Sequence, residues 1–359
     1  MTGTDAPADG RRSTDSPLPD VDELEQEAAA VLPAHVVGYF RGPTGAYGIP
    51  TEAERWSQLR FRPHVLRDTR RLSLATTVLG TAVASPVLVA PMAQQRAAHP
   101  DGELATARAV RRRGTLLGVS TNTGVRFADL GAVGAPWWFQ VYVMDDRAVT
   151  ADVVQRAAAE GASALVLTVD APGVDPRRPQ LEPRTWPERY GMQVNLPGGD
   201  TGRNVFPGTR DLSLDDIGWL AGLTGLPVVV KGVLRADDAL VCVDAGAAGI
   251  VVSTHGGRCL TQSVTSADAL PEVAAAVGDR AEVYVDSGLR TPEHVAAALC
   301  LGARAVFLGR PVLWALATGG ATRVEQLLEG FDTRLERVLR SLGAGSLADL
   351  GTDLVAAPA

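Results

Sequence analysis

The sequence predicts a (β/α)8 TIM barrel with an N-terminal helical extension and a long loop after the fourth strand. Eight short apolar runs recur along the chain, each of a length that suits a buried parallel strand. Most are followed by an Ala/Leu/Val pattern with helical spacing, as crossover connections require. The runs also end on polar residues, on the side where barrels carry their functional groups. A doubly wound open sheet is the structural alternative, and it needs a reversal of strand order that a sequence does not display.

Residues 1–20 are rich in Pro, Asp, Thr and Gly and read as a disordered tail. Residues 21–359 read as a single domain, since α/β barrels commonly use about 250 residues as one unit. A helix should start near Asp20 and run through Leu24 and Ala28 to Leu32. The apolar runs are 86–93, 116–121, 138–143, 164–170, 227–233, 249–254, 283–288 and 305–310. Helical patterns cover 102–113, 147–160, 236–245, 267–277, 292–301 and 323–342, with a further helix near 214–223. Between Asp170 and that helix lie about forty residues rich in Pro, Gly and Arg, a length typical of lids and disordered connections.

Composition narrows the function. With 359 residues, 46% of them hydrophobic, the chain can bury a large core. A net charge of −7 and no Lys/Arg stripe interleaved with aromatics argue against nucleic acid as a partner. The three cysteines, Cys242, Cys259 and Cys300, form no CxxC motif and fit a reduced cytoplasm. No basic start precedes an apolar segment, so no signal peptide is expected. The most apolar stretch, 81–93, is too short for a membrane span and is broken by Pro86.

The strand ends carry Ala93 and Gln94; Ser120, Thr121 and Asn122; Gln140 and Tyr142; Thr168 and Asp170; Lys231; His255 and Arg258; Asp286 and Arg290; and Gly309 with Arg310. In Ser253-Thr254-His255-Gly256-Gly257-Arg258, a group that takes a proton near neutral pH stands three residues from one that grips a carboxylate bidentately. A base beside an anion clamp suits oxidation of a small acid. Asp286-Ser287-Gly288-Leu289-Arg290 and Gly309-Arg310, the latter opening a helix at Pro311, have the placement of a barrel phosphate site. Lys231, among valines, needs a partner or an anion. A salt bridge inside the barrel is its plain reading, and a positive charge beside an electron-accepting ring its functional one.

Seven motifs, in order, resemble the FMN-dependent L-2-hydroxy-acid oxidases and dehydrogenases, the family of glycolate oxidase, lactate oxidase and mandelate dehydrogenase. They are Ala98-His99-Pro100-Asp101-Gly102-Glu103-Leu104-Ala105-Thr106-Ala107-Arg108, Phe139-Gln140-Val141-Tyr142, Leu167-Thr168-Val169-Asp170, Val230-Lys231-Gly232, His255-Gly256-Gly257-Arg258, Asp286-Ser287-Gly288-Leu289-Arg290 and Leu308-Gly309-Arg310-Pro311. The resemblance runs from about Leu32 to the C-terminus. It implies FMN as cofactor and oxidation of a 2-hydroxy acid to the 2-oxo acid, with electrons passing to flavin N5 and then to oxygen or another soluble acceptor. It implies that His255 is the base, Asp170 its partner, Arg258 and Tyr39 the carboxylate clamp, Tyr142 the group near the substrate hydroxyl, and Arg177 a second substrate-side arginine, with Arg178 beside it. Ser120, Gln140 and Thr168 would contact the flavin ring, Ala90, Pro91, Met92 and Ala93 its N5 side, and Lys231 its N1–O2 edge. Asp286, Gly288, Arg290, Gly309 and Arg310 would hold the phosphate. No metal ligand set is read, and a homo-oligomer, a tetramer by family resemblance, is expected.

Other residues have plainer readings. His35, His64, His99 and His294 are read as surface or helix residues, with His99 in a turn. Trp137 and Trp138 are read as wall packing. A nucleophilic Cys259 is not favoured, since no second base is evident near it in sequence. The departures from the family pattern bear on substrate choice. Thr254 stands where the family has Asn, Cys259-Leu260-Thr261 where it has Gln-Leu-Asp, Met92 where it has Thr, and Ser287 where it has Gly. Asn122 makes the substrate side more polar. A larger or more polar 2-hydroxy acid is the expected substrate; the second reading is an FMN barrel with altered chemistry, an isomerase or an oxidase of a biosynthetic intermediate that is not a hydroxy acid.

Overall fold

The computed structural model describes residues 20–42, 51–171, 190–199, 209, 211–260 and 262–356. Among the described residues three helices precede the barrel. Helix α1 (Val21–Val31) begins where the Asp20 carboxylate accepts from the Asp22 N–H at 2.8 Å. Helix α2 (Ala34–Arg41) follows Pro33, and α3 (Glu52–Gln58) starts on a capping box between Thr51 and Glu54.

The barrel strands are β1 (Val87–Val89), β2 (Leu117–Ser120), β3 (Trp137–Val141), β4 (Ala162–Thr168), β5 (Val228–Val233), β6 (Gly249–Val252), β7 (Glu282–Val285) and β8 (Ala305–Leu308). They lie in sequence order around a closed parallel ring. Pairing of β8 with β1, Val306 opposite Val87, closes it and rules out the open sheet. Around it run α4 (Glu103–Arg113), α5 (Phe127–Val133), α6 (Arg147–Ala159), α7 (Asp215–Thr224), α8 (Ala236–Asp244), α9 (Ser266–Val277), α10 (Pro292–Cys300) and α11 (Arg310–Ser341). Helix α11 is broken at Gly319–Gly320, so the expected 323–342 helix is its second half. Helix α5 is new to the sequence pattern: it is short, and only Phe127 and Leu130 are buried.

A hairpin of Thr76–Val78 with Thr81–Val83 adds Val78 and Val83 to the cluster that fills the barrel interior. That cluster includes Leu88, Trp138, Val166, Val229, Val251, Tyr284 and Phe307. Trp138 meets Tyr284 edge-on at 5.3 Å, while Trp137 packs outward on Phe127 at 5.6 Å. Side chains alternate across a strand, so the residues two places on from this layer also point inward. They are Gln140, Thr168, Lys231, Ser253, Asp286 and Gly309. An apolar plug with polar groups two residues later along five of the strands, Gln140, Thr168, Lys231, Ser253 and Asp286, therefore places those groups on one rim. Among the described residues no helix is long and apolar enough to cross a membrane.

Candidate active site

The loop after β6 brings His255 to Asp170, which lies just beyond β4. Their Nδ1 and Oδ1 stand 3.0 Å apart. Burial pushes the Asp170 carboxyl up, but the adjacent imidazole and Lys231 outweigh it and hold the group below its ordinary value. Asp170 is therefore an anion aimed at the ring. Its other oxygen, Oδ2, is buried without a hydrogen-bond partner among the described residues.

Close approach at this point depends on Gly232, whose φ is +111°. A Cβ there would lie 2.5 Å from the Asp170 Cβ. Gly232→Ala is thus expected to cost about 1–3 kcal/mol in backbone strain alone and to push Asp170 off His255. Thermal unfolding and rates of flavin reduction check both effects; an active, stable Gly232→Ala protein would show that the Asp170–His255 distance does not matter.

Arg258 reaches back to the N-terminal extension. Its Nη2 donates to the carbonyls of Tyr39 at 2.6 Å and Phe40 at 2.9 Å, and its guanidinium lies 5.1 Å from the centre of the Tyr39 ring. Burial raises the Tyr39 phenol against the opposing effect of Arg258. Tyr142 is raised further, by burial and then by the Asp170 charge. Both phenols keep their protons and can donate. Cys259 does have bases near it, contrary to the sequence expectation: a ring nitrogen of His255 and an oxygen of Asp170 lie within 4.8 Å of its sulfur. Although the residue is exposed at the rim, desolvation and the Asp170 charge push its thiol up to about 12, which keeps it protonated and a poor nucleophile.

Lys231 is almost fully buried. Its Nζ lies 3.0 Å from Asp286 Oδ2 and donates to Ser253 Oγ at 2.8 Å. Desolvation works against the charge, but Asp286 and Asp170 overcome it and leave the lysine pKa raised. The salt bridge foreseen as the plain reading is therefore present, and the lysine stays cationic. Two strands away on β3, Gln140 accepts from Ser120 Oγ at 3.1 Å, while its own Nε2 is buried with no hydrogen-bond partner among the described residues.

A cationic corner lies at the start of α11. Arg310 is pushed down to about 10, first by burial and then by the neighbouring charges of Arg290 and Arg258. Arg290 is partly neutralised by Glu25 of α1 at 3.0 Å. The amino end of α11 adds its dipole at the same place.

The strand-end residues expected from the sequence come together on this rim, with Ala90, Pro91, Met92 and Ala93 leaving β1 and Met92 Sδ 3.8 Å from the place a Gly309 Cβ would occupy. Arg177, Arg178 and Thr261 lie outside the described residues. Asn122 accepts from Gln193 Nε2 at 3.0 Å, so part of the long loop after β4 docks on the turn after β2. His99 does sit in a turn, where its Nδ1 accepts from the Asp101 N–H. His294 stands in a helix, α10, as one of its two readings had it, and is buried there. Glu25 and Glu52 are additions that strand-end logic misses, while Ser253 stands at a strand end but has no role of its own in the sequence pattern. For Glu52, the Thr51-x-x-Glu54 capping pattern was the available signal, since it starts the helix that carries it.

The family described as FMN-dependent dehydrogenase matches residues 28–357. L-lactate oxidase from Nostoc sp. is 38% identical over 353 residues, covering 93% of this chain and 96% of the relative. Glycolate oxidase 1 from Oryza sativa subsp. indica is 36% identical, with 93% and 94% covered. Among solved structures, mandelate oxidase superimposes with a TM-score of 0.85 at 34% identity, over 94% of this chain and 97% of that one.

Proposed function

The chain belongs to the FMN-dependent dehydrogenase family, and from that premise we propose that it oxidises a 2-hydroxy acid to the 2-oxo acid at the rim shared by His255, Asp170, Arg258 and Tyr142. It is an FMN-dependent oxidoreductase. The observation that carries the proposal is the His255–Asp170 pair at 3.0 Å, with an arginine three residues along the same loop.

The residues present fit FMN. The partnerless Nε2 of Gln140 is a buried donor suited to a ring carbonyl. Arg290, Arg310 and the start of α11 form a donor set for a phosphate dianion, and that anion would relieve the mutual repulsion felt by Arg310. Ser120 and Thr168 would flank the ring, with the backbone from Ala90 to Ala93 on one side. Gly288 and Gly309 would let the chain approach the phosphate. Asp286 would serve this cradle through Lys231, whose charge it stabilises. Bound FMN supplies a two-electron acceptor, reoxidised by oxygen or another soluble acceptor.

The protein's own part is binding and proton handling. Arg258 and Tyr39 would hold the substrate carboxylate, with Arg177 as a second contact, and Tyr142 would donate to the hydroxyl. Oxidation removes two electrons and two protons from the C2–OH unit. His255 would take one of the two protons and Asp170 would stabilise the resulting imidazolium, while the other would go with the two electrons to the bound flavin. Lys231 would place positive charge beside the ring that receives the electrons. Asn122, held by Gln193, supports a substrate with a polar or larger side chain. Lactate, glycolate and mandelate oxidases as relatives support the 2-hydroxy-acid class.

The free thiols of Cys242, Cys259 and Cys300 support a reducing, cytoplasmic setting. A homo-oligomer, and a single FMN-binding domain over residues 21–359, rest on the family resemblance. The visible spectrum of purified protein, before and after anaerobic addition of a panel of L- and D-2-hydroxy acids, tests the proposal. Flavin bands that bleach with one acid are expected. No flavin even after FMN is added, or flavin that none of the acids bleaches, would count against it.

A further inference from the structure

Two of the departures around the base, Thr254 and Ser287, meet in one hydrogen-bond network. Ser287 Oγ accepts from the backbone N–H of Thr254 at 3.2 Å and of Gly256 at 3.1 Å, one residue to each side of His255. The same oxygen donates to Asp286 Oδ1 at 2.8 Å, and Asp286 holds Lys231. Lys231 donates to Ser253 Oγ, which accepts from the His255 N–H at 3.0 Å. From the other side Thr254 Oγ1 donates to Glu52 Oε1 at 2.8 Å. Glu52 is itself held by the Ser266 N–H at 3.0 Å and Ser266 Oγ at 2.8 Å.

Ser287 occupies this place at a backbone φ of +74°, a region that favours glycine. A serine kept there costs strain, and its hydroxyl is what a glycine would lack. His255 also has a positive φ, +55°. The loop that carries it is thus bent into a conformation that needs outside support.

We propose that Ser287 and Glu52 are positioning residues that clamp the His255 loop from two sides, through the amides of Thr254 and Gly256 and the hydroxyl of Thr254, and so keep the imidazole on Asp170. The clamp bears on catalysis only if His255 is the base of the proposed function. Arg258 is anchored separately, on the carbonyls of Tyr39 and Phe40. Substrate binding should therefore suffer less than the chemical step.

The test compares Ser287→Gly, Thr254→Val and Thr254→Ser with the wild type as whole, FMN-saturated proteins. Ser287→Gly removes the clamp, and the relief of the positive φ partly offsets the lost hydrogen bonds, so its thermal midpoint should fall only modestly. Flavin reduction at saturating 2-hydroxy acid should nevertheless fall about tenfold or more, as misplacement of a catalytic group does. KM should stay within about threefold, the signature of a loss confined to the reacting state. The Thr254 and Gly256 amides should exchange hydrogen faster, and His255 should react faster with diethyl pyrocarbonate. Thr254→Val should move the same way, and Thr254→Ser, which keeps the hydroxyl, should restore the rate. Rates within about twofold of wild type in both Ser287→Gly and Thr254→Val would overturn the clamp, since misplacement on this scale costs more. If no 2-hydroxy acid reduces the wild type, the functional proposal fails, and amide exchange and His255 reactivity decide the clamp; no change in either overturns it.

Discussion

Replacing His255 with alanine is expected to slow reduction of the bound flavin by a 2-hydroxy acid by about 10²–10⁴-fold, the usual contribution of a positioned general base. FMN should remain bound, because the donors proposed for it stand on other strands: Gln140 on β3, Lys231 on β5, Arg290 after β7 and Arg310 after β8. Asp170 loses the imidazole that chiefly holds its pKa down, so burial raises its carboxyl in the variant, and the residual rate measures how far that carboxylate substitutes for the ring. Alanine at φ +55° gains no conformational relief, so a stability increase is not expected to compensate. Anaerobic stopped-flow measurement of flavin bleaching, with the flavin content of the purified variant, checks both halves. Retained turnover would sink the assignment of the base.

The second large effect is expected at Lys231. Lys231→Met removes the cation from a buried pair and leaves the Asp286 carboxylate with Ser287 as its remaining side-chain donor. Breaking a buried pair from one side typically costs about 3–5 kcal/mol, because the other charge stays desolvated. Denaturant unfolding of the FMN-free protein should show that loss. Adding Asp286→Asn should return much of the stability, since no uncompensated charge then remains, but it should not return flavin reduction. A single variant as stable as wild type would mean that Asp286 finds water or another donor. A double variant that reduces flavin normally would remove Lys231 from the chemistry.

The barrel was legible because its signals are local. Runs of valine, leucine and alanine mark each strand, and side-chain alternation carries the polar residue at the end of a run to the same rim. The His255–Arg258 segment and the two phosphate loops were readable for the same reason, as short stretches whose chemistry is self-contained. Helices α2, α3 and α5 were not, for they are short and owe their stability to what they pack against rather than to a long amphipathic repeat. The hairpin of Thr76–Val78 and Thr81–Val83 likewise exists to cover one end of the barrel.

The alternation of strands and helices, the polarity of the rim, and the residue types available for proton transfer and anion binding are local properties, written in short stretches of chain. Which of those residues face one another is a property of the closed ring. Asp170 meets His255 across 85 residues and Glu52 meets Thr254 across 202, while Lys231 finds Asp286 and Arg290 finds Glu25. Those pairings follow from ring closure and from the docking of the N-terminal helices over the rim. Periodicity sets the face of a strand on which a side chain emerges, but the partner across a barrel depends on the register of every strand between them.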